Sequence, residues 1–135
     1  MRKKTNPIPT ESELSILNVL WDRGPATVRD VHSVLNRTHE TGYTTVLKLM
    51  QIMTGKKLVK RDEANRTHVY EANYPKQQTQ RWLVDDLMNK AFGGSPTQLA
   101  NALFEKDKLS KSEFEKLRNQ ILALRKEESI NGELD

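Results

Sequence analysis

The sequence predicts a mainly α fold with a small β-hairpin wing: a winged helix-turn-helix followed by a three-helix dimerisation lobe. Three observations predict it. The pattern Ser/Thr-x-x-Asp/Glu occurs at Thr10–Glu13, Thr27–Asp30 and Ser110–Glu113, each time ahead of apolar residues at helical spacing. In such a capping box the hydroxyl accepts a first-turn amide while the carboxylate reaches back to the amide before the helix. A strand-turn-strand pattern follows directly on the third helical segment. Pro75 then separates this half from a run of amphipathic helices.

Residues 1–9 hold two prolines and no periodicity, and are expected to form a disordered arm. Leu14, Leu17, Leu20 and Trp21 recur at helical spacing to about Asp22, where Gly24-Pro25 stops the first helix. Thr27 opens the second helix, with Val28, Val31 and Leu35 as its buried stripe, and Asn36 to Gly42 is a polar connection. A third helix is expected from about Tyr43 to Thr54, with Val46, Leu49, Met50 and Met53 as its core face. Thr44, Thr45, Lys48 and Gln51 then fall mainly on the solvent side. Leu58 to Arg61 and Thr67 to Tyr70, joined by the polar stretch Asp62 to Arg66, form the hairpin pattern.

Beyond Pro75, Gln77 to Phe92 has Trp82, Leu83, Leu87 and Ala91 on one side of a helix that Gly93-Gly94 ends. Ser95 caps the next helix, and Pro96 sits at its first position, where the missing N–H is no loss. Leu99, Ala100 and Leu103 drive it. The last helix runs from Ser110 to about Lys126, with Phe114, Leu117, Ile121 and Leu124 in the 3-4-3 spacing of a helix-on-helix seam. The expected division is an arm at 1–9, a winged helix-turn-helix at 10–74, a helical dimerisation domain at 75–126 and a frayed tail at 127–135.

The 135 residues include no cysteine, which excludes disulfide scaffolds and thiolate chemistry. His32, His39 and His68 stand alone, without the i,i+4 spacing of a metal pair. No nucleophile motif or phosphate-cradling glycine loop occurs, so neither an enzyme nor a cofactor is expected. The basic start lacks the apolar run of a signal peptide, and no stretch approaches the length of a membrane span. A soluble, cytoplasmic protein without a membrane partner is expected.

Charge is uneven. Residues 1–72 hold 12 Lys/Arg against 8 Asp/Glu, whereas residues 73–135 hold 10 of each. Residues 42–61 carry five basic side chains (48, 56, 57, 60 and 61) and no acid. A helix presenting hydroxyls and positive charge before a basic hairpin suits double-stranded DNA. Thr44, Thr45 and Lys48 are the candidates for base edges. Tyr43, Lys60, Arg66 and His68 are the candidates for phosphates, and Lys56, Lys57 and Arg61 are assigned only a general electrostatic role. The alternative occupant of the same face is a protein, which would make the chain a winged-helix adaptor. The second lobe, three short helices in about fifty residues, buries too little to stand alone comfortably. Pairing with a second copy through Trp82, Leu83, Leu87, Leu103, Phe114, Leu117, Ile121 and Leu124 would complete it, and would suit a palindromic site.

The segments Pro9 to Trp21, Gly24 to Val31, Tyr43 to Val46 and His68 to Tyr70 closely resemble, in order, the penicillinase-repressor family of the BlaI/MecI/CopY type. The resemblance covers nearly the whole chain. It implies a bacterial homodimeric transcriptional repressor with an N-terminal winged helix and a C-terminal dimerisation lobe. It departs from the family at informative places. The copper-responsive branch needs a cysteine-rich site that this chain lacks. The β-lactam-responsive branch is released when a regulatory protease cuts an Asn-Phe bond, and that position falls here on Ala102-Leu103, between Asn101 and Phe104. The family pattern also has a basic residue at Ile52 and a glycine at Lys57. Either Gly55 ends the third helix two residues early, or Lys57 adopts the left-handed cap itself.

Overall fold

The computed structural model describes residues 6–105 and 109–133. Among them are six helices and two strands: α1 (Glu11–Arg23), α2 (Val28–Leu35), α3 (Tyr43–Gly55), β1 (Val59–Asp62), β2 (Val69–Ala72), α4 (Lys76–Ala91), α5 (Pro96–Phe104) and α6 (Lys111–Glu133). The chain divides into two compact units, residues Met1–Leu87 and Met88–Asp135.

In the first unit the expected capping boxes form. The Thr10 hydroxyl accepts from the Glu13 amide at 3.2 Å while Glu13 Oε1 accepts from the Thr10 amide at 2.9 Å. Thr27 and Asp30 make the same exchange at the start of α2, at 3.1 and 3.2 Å. Ile16, Leu17, Val19 and Leu20 of α1 meet Val28 and Val31 of α2 and Val46, Met50 and Met53 of α3 in one core, closed by Leu58, Val59 and Tyr70 of the hairpin. Every buried hydrophobic side chain among the described residues lies between Ile16 and Tyr70.

The hairpin pairs antiparallel, with Val59 opposite Ala72, Lys60 opposite Glu71, Arg61 opposite Tyr70 and Asp62 opposite Val69. Its strands start one and two residues later than the sequence pattern suggests. Tyr70 also bonds outside the hairpin: its amide and carbonyl bond the carbonyl and amide of Ala26 at 2.8 and 2.9 Å, so the segment after α1 forms an isolated bridge at the sheet edge. Tyr70 itself is buried. Gly24 lets the chain turn from α1 into that bridge at φ +95°, a conformation that disfavours any side chain, although no neighbour crowds a Cβ there. The result is a winged helix, three helices with a two-stranded wing.

In the second unit Ser95 caps α5 by accepting from the Gln98 amide at 3.2 Å, and Ser110 and Glu113 form the third box at the start of α6. The rings of Phe104 and Phe114 meet edge to face, centroids 5.6 Å apart. Helix α6 continues past the expected end near Lys126 to Glu133. Once a helix exists, each added residue needs to fix only its own backbone, and Glu127 and Glu128 are good helix formers. Residues 1–5 of the expected arm, and the last two of the expected tail, lie outside the described residues.

Candidate nucleic-acid interface

Burial of Val46, Met50 and Met53 turns the opposite side of α3 outward, because successive side chains are about 100° apart around the axis. Thr44, Thr45, Lys48, Gln51 and Ile52 are all exposed. Thr45 lies on the edge facing the α2–α3 turn, where it lines a 260 Å³ hollow with Thr38, His39 and Thr41. Tyr43 lies on the edge facing the wing. The three expected base-edge candidates therefore share an accessible helix surface. Ile52, 42% exposed where the family pattern has a basic residue, adds an apolar group to it.

Three of the four expected phosphate candidates come together. Tyr43, Arg66 and His68 line one cleft of about 620 Å³, with Thr27, Arg29 and Asp30 at the start of α2 forming its far wall. Arg29 was missed in the sequence, where it is one more polar residue between the apolar positions of a short helix. Lys60 is not in this cleft. Side chains alternate across a strand, so Lys60 and its cross-strand partner Glu71 share the other hairpin face, Nζ and carboxylate 3.8 Å apart.

The acid-free run is not electrostatically free. Lys56 Nζ lies 2.9 Å from Glu13 Oε2 and 3.2 Å from Oε1. Arg61 pairs with Glu63, and the Tyr70 hydroxyl and that carboxylate both favour its charged form. With Lys60 facing Glu71, three of the five charges meet acids supplied from outside the run. Lys48 and Lys57 have no ion-pair partner among the described residues. Lys56 and Arg61, assigned only a general electrostatic role, are thus each also held by an acid of the chain. Sequence distance hid the Lys56 contact, since Glu13 is 43 residues away.

Both ends of α3 are distinctive. Gly42 caps its start without a side-chain hydrogen bond, unlike the boxes at α1, α2 and α6, so the first-turn amides have no side-chain cap. At its end Lys57 takes φ +65°. The Leu58 amide bonds the Met53 carbonyl at 2.9 Å and the Lys57 amide bonds the Thr54 carbonyl at 3.1 Å. These are the two bonds of a Schellman motif, with buried Met53 and Leu58 as its apolar pair. The left-handed cap is therefore at Lys57, and Gly55 remains helical. Asn73 steadies it by donating to the Lys57 carbonyl at 2.8 Å.

The turn before α3 is held by two side chains of α2 and its cap. His32 Nε2 lies 2.6 Å from the Thr41 carbonyl, and Asn36 Oδ1 accepts from the Thr41 amide at 3.0 Å. The His32 ring also meets Tyr43 edge to face, centroids 5.7 Å apart at 80°.

Of the residues expected at an interface between copies, Leu87, Leu103, Phe114, Ile121 and Leu124 are exposed, the last two at 57% and 63%. Leu83 and Leu117 are half-buried. Trp82 is engaged within its own chain: it packs edge to face on Tyr74 at 4.8 Å, and the Tyr74 carbonyl accepts from Trp21 Nε1 at 3.0 Å. Phe104, Phe114, Leu117, Ile121 and Leu122 line an apolar hollow of about 180 Å³ in the second unit. Asn101, Ala102, Leu103 and Phe104 form the last turn of α5. Among the described residues no cluster of acids and histidines could hold a metal, and no helix is long and apolar enough to cross a membrane.

The family model for the penicillinase repressor matches residues 9–123. The transcriptional regulator BlaI of Mycobacterium tuberculosis (strain CDC 1551 / Oshkosh) is 28% identical over 113 residues, which span 83% of this chain and 81% of that protein. The protein of the same name from strain ATCC 25618 / H37Rv gives the same figures. Among solved structures, the solution structure of the DNA binding domain of the repressor BlaI aligns with a TM-score of 0.48 at 20% identity, covering 55% of this chain and 90% of that one.

Proposed function

The chain belongs to the penicillinase repressor family, and from that premise we propose that it is a homodimeric transcriptional repressor that reads a palindromic operator with α3 in the major groove. One observation carries the reading: the outward face of α3 presents Thr44, Thr45 and Lys48, the last with no ion-pair partner among the described residues, with the cleft of Tyr43, Arg66 and His68 alongside. The two threonines suit base edges or thymine methyls, and Lys48 suits guanine. Arg66, His68 and Tyr43 hold phosphates, joined by Arg29 and by the uncapped amides at the start of α3. Lys60, shared with Glu71, contributes less.

Dimerisation is supported by the second unit, which holds no fully buried hydrophobic side chain among its described residues while exposing Leu103, Phe114, Ile121, Leu122 and Leu124. A twofold pair places two α3 helices on two half-sites of one palindrome. Proteolytic release at Asn101–Phe104 would require the last turn of α5 to open, because a protease groove takes extended backbone. Mapping the fragments produced on induction tests this, and termini elsewhere would discard it.

The deciding experiment is enrichment of duplexes from a random library by the full-length chain, followed by titration of the winner at several salt concentrations. A palindromic consensus is expected, with log K falling by about 0.9 per phosphate neutralised. No enriched sequence, together with a flat salt response, would refute the reading.

A further inference from the structure

We infer that His32 is a positioning residue for the recognition helix, setting the start of α3 and the Tyr43 side chain against DNA without touching DNA itself. The inference rests on the DNA-binding reading above. A carbonyl oxygen only accepts, so the 2.6 Å contact makes His32 Nε2 the donor to Thr41 and fixes the proton on that nitrogen. Thr41 is the second residue before Tyr43, and its amide is held independently by Asn36. The chain between α2 and α3 is thereby pinned through the two peptide groups that flank Thr41. The same imidazole ring, half-buried, supports Tyr43 edge to face. One side chain of α2 thus couples the turn, the first residue of α3 and the wall of the cleft that also holds Arg66 and His68. The start of α3 has no side-chain cap of its own, so its direction of entry depends on the turn that His32 and Asn36 hold.

The test compares full-length His32→Phe, which keeps a ring and removes the donor, with His32→Gln, whose amide nitrogen reaches about as far as Nε2. Two readouts apply: the affinity ratio between the library-enriched duplex and a random duplex of equal length, and amide hydrogen exchange at residues 41–46 without DNA. His32→Phe should lower the ratio about tenfold and speed that exchange by a similar factor, roughly one lost hydrogen bond. His32→Gln should recover most of both. Asn36→Ala, at an exposed position, should lower the ratio in the same direction, which covers the case in which His32→Phe folds poorly. Wild-type exchange at 41–46 and an unchanged ratio in His32→Phe would overturn the proposal, as would equal losses in the Phe and Gln variants. If the wild type enriches no duplex, the DNA-binding reading fails by itself, and the exchange pattern still decides whether His32 holds the turn.

Discussion

Lys56, the residue that caps the end of α3, closes on Glu13 in the first turn of α1, its ammonium within 3.2 Å of both carboxylate oxygens. Burial would raise the Glu13 pKa, but the Thr10 amide and the Lys56 ammonium outweigh it and hold the carboxylate below the ordinary glutamate range. Glu13 is thus both half of a capping box and the anchor that ties α3 to α1. The expected outcome for Glu13→Ala is a loss of about 2 kcal/mol, combining the cap and the lost hydrogen bonds. Lys56→Met should lose less, because the ammonium is half exposed and screened by water. Urea unfolding of the full chain measures both, and equal losses would contradict the division.

The same pair sets a pH dependence. A carboxylate with a depressed folded pKa contributes stability that is present above its unfolded value, about 4.3, and lost as pH falls through the folded one. The stability gap between wild type and Glu13→Gln should hold steady from pH 7 to about 5 and then shrink. Denaturation curves across that range check it, and a gap that widens in acid would refute the assignment.

Lys57→Gly should stabilise the chain by about 0.5–1 kcal/mol. The left-handed backbone costs an L-residue about 1–2 kcal/mol, and glycine's extra unfolded-state freedom returns part of the gain. A rise in the urea midpoint with unchanged slope is the expected record. Asn73→Ala should act in the opposite direction by about 1 kcal/mol through the lost bond to the Lys57 carbonyl.

On DNA, Thr44→Ala and Lys48→Ala should relax base preference at distinct positions, at about 1–3 kcal/mol per contact. Arg66→Ala should weaken all sequences alike and lower the salt slope by about 0.9. Lys60→Ala should change that slope less, since Glu71 already faces Lys60. Salt titrations on the enriched duplex and its single-base variants separate these effects, and a larger slope change for Lys60 than for Arg66 would reverse the assignment.

For the second unit, Ile121→Asp should dissociate the proposed dimer, with an increase in its dissociation constant of about a hundredfold or more, from burying a charge where about 1.5–3 kcal/mol of apolar burial is lost. Sedimentation equilibrium measures it. Helical content should be retained at high chain concentration, and a variant that remains fully dimeric would place the interface elsewhere.

Local signals were legible in the sequence and long-range ones were not. The boxes at Thr10, Thr27 and Ser110 are complete within four residues, so the helix starts could be read directly. The outward set on α3 followed from one period, and the family pattern marked Lys57 as standing where a glycine is usual, with Gly55 and Lys57 both left as the cap. What escaped depends on residues brought together by folding: Ala26 against Tyr70, Glu13 against Lys56, Trp21 with Trp82 on Tyr74. Arg29 and His32 escaped for the same reason, because their roles appear only once α2 stands beside α3 and the wing.

The confinement of the hydrophobic interior to residues 16–70 has a consequence for gene control. If the helical lobe gains its own interior from a second copy, operator occupancy follows the square of the chain's abundance wherever monomers prevail. Halving the number of molecules in a cell would then cut occupancy by more than half, so modest changes in synthesis or degradation would be felt at the promoter as a steep transition.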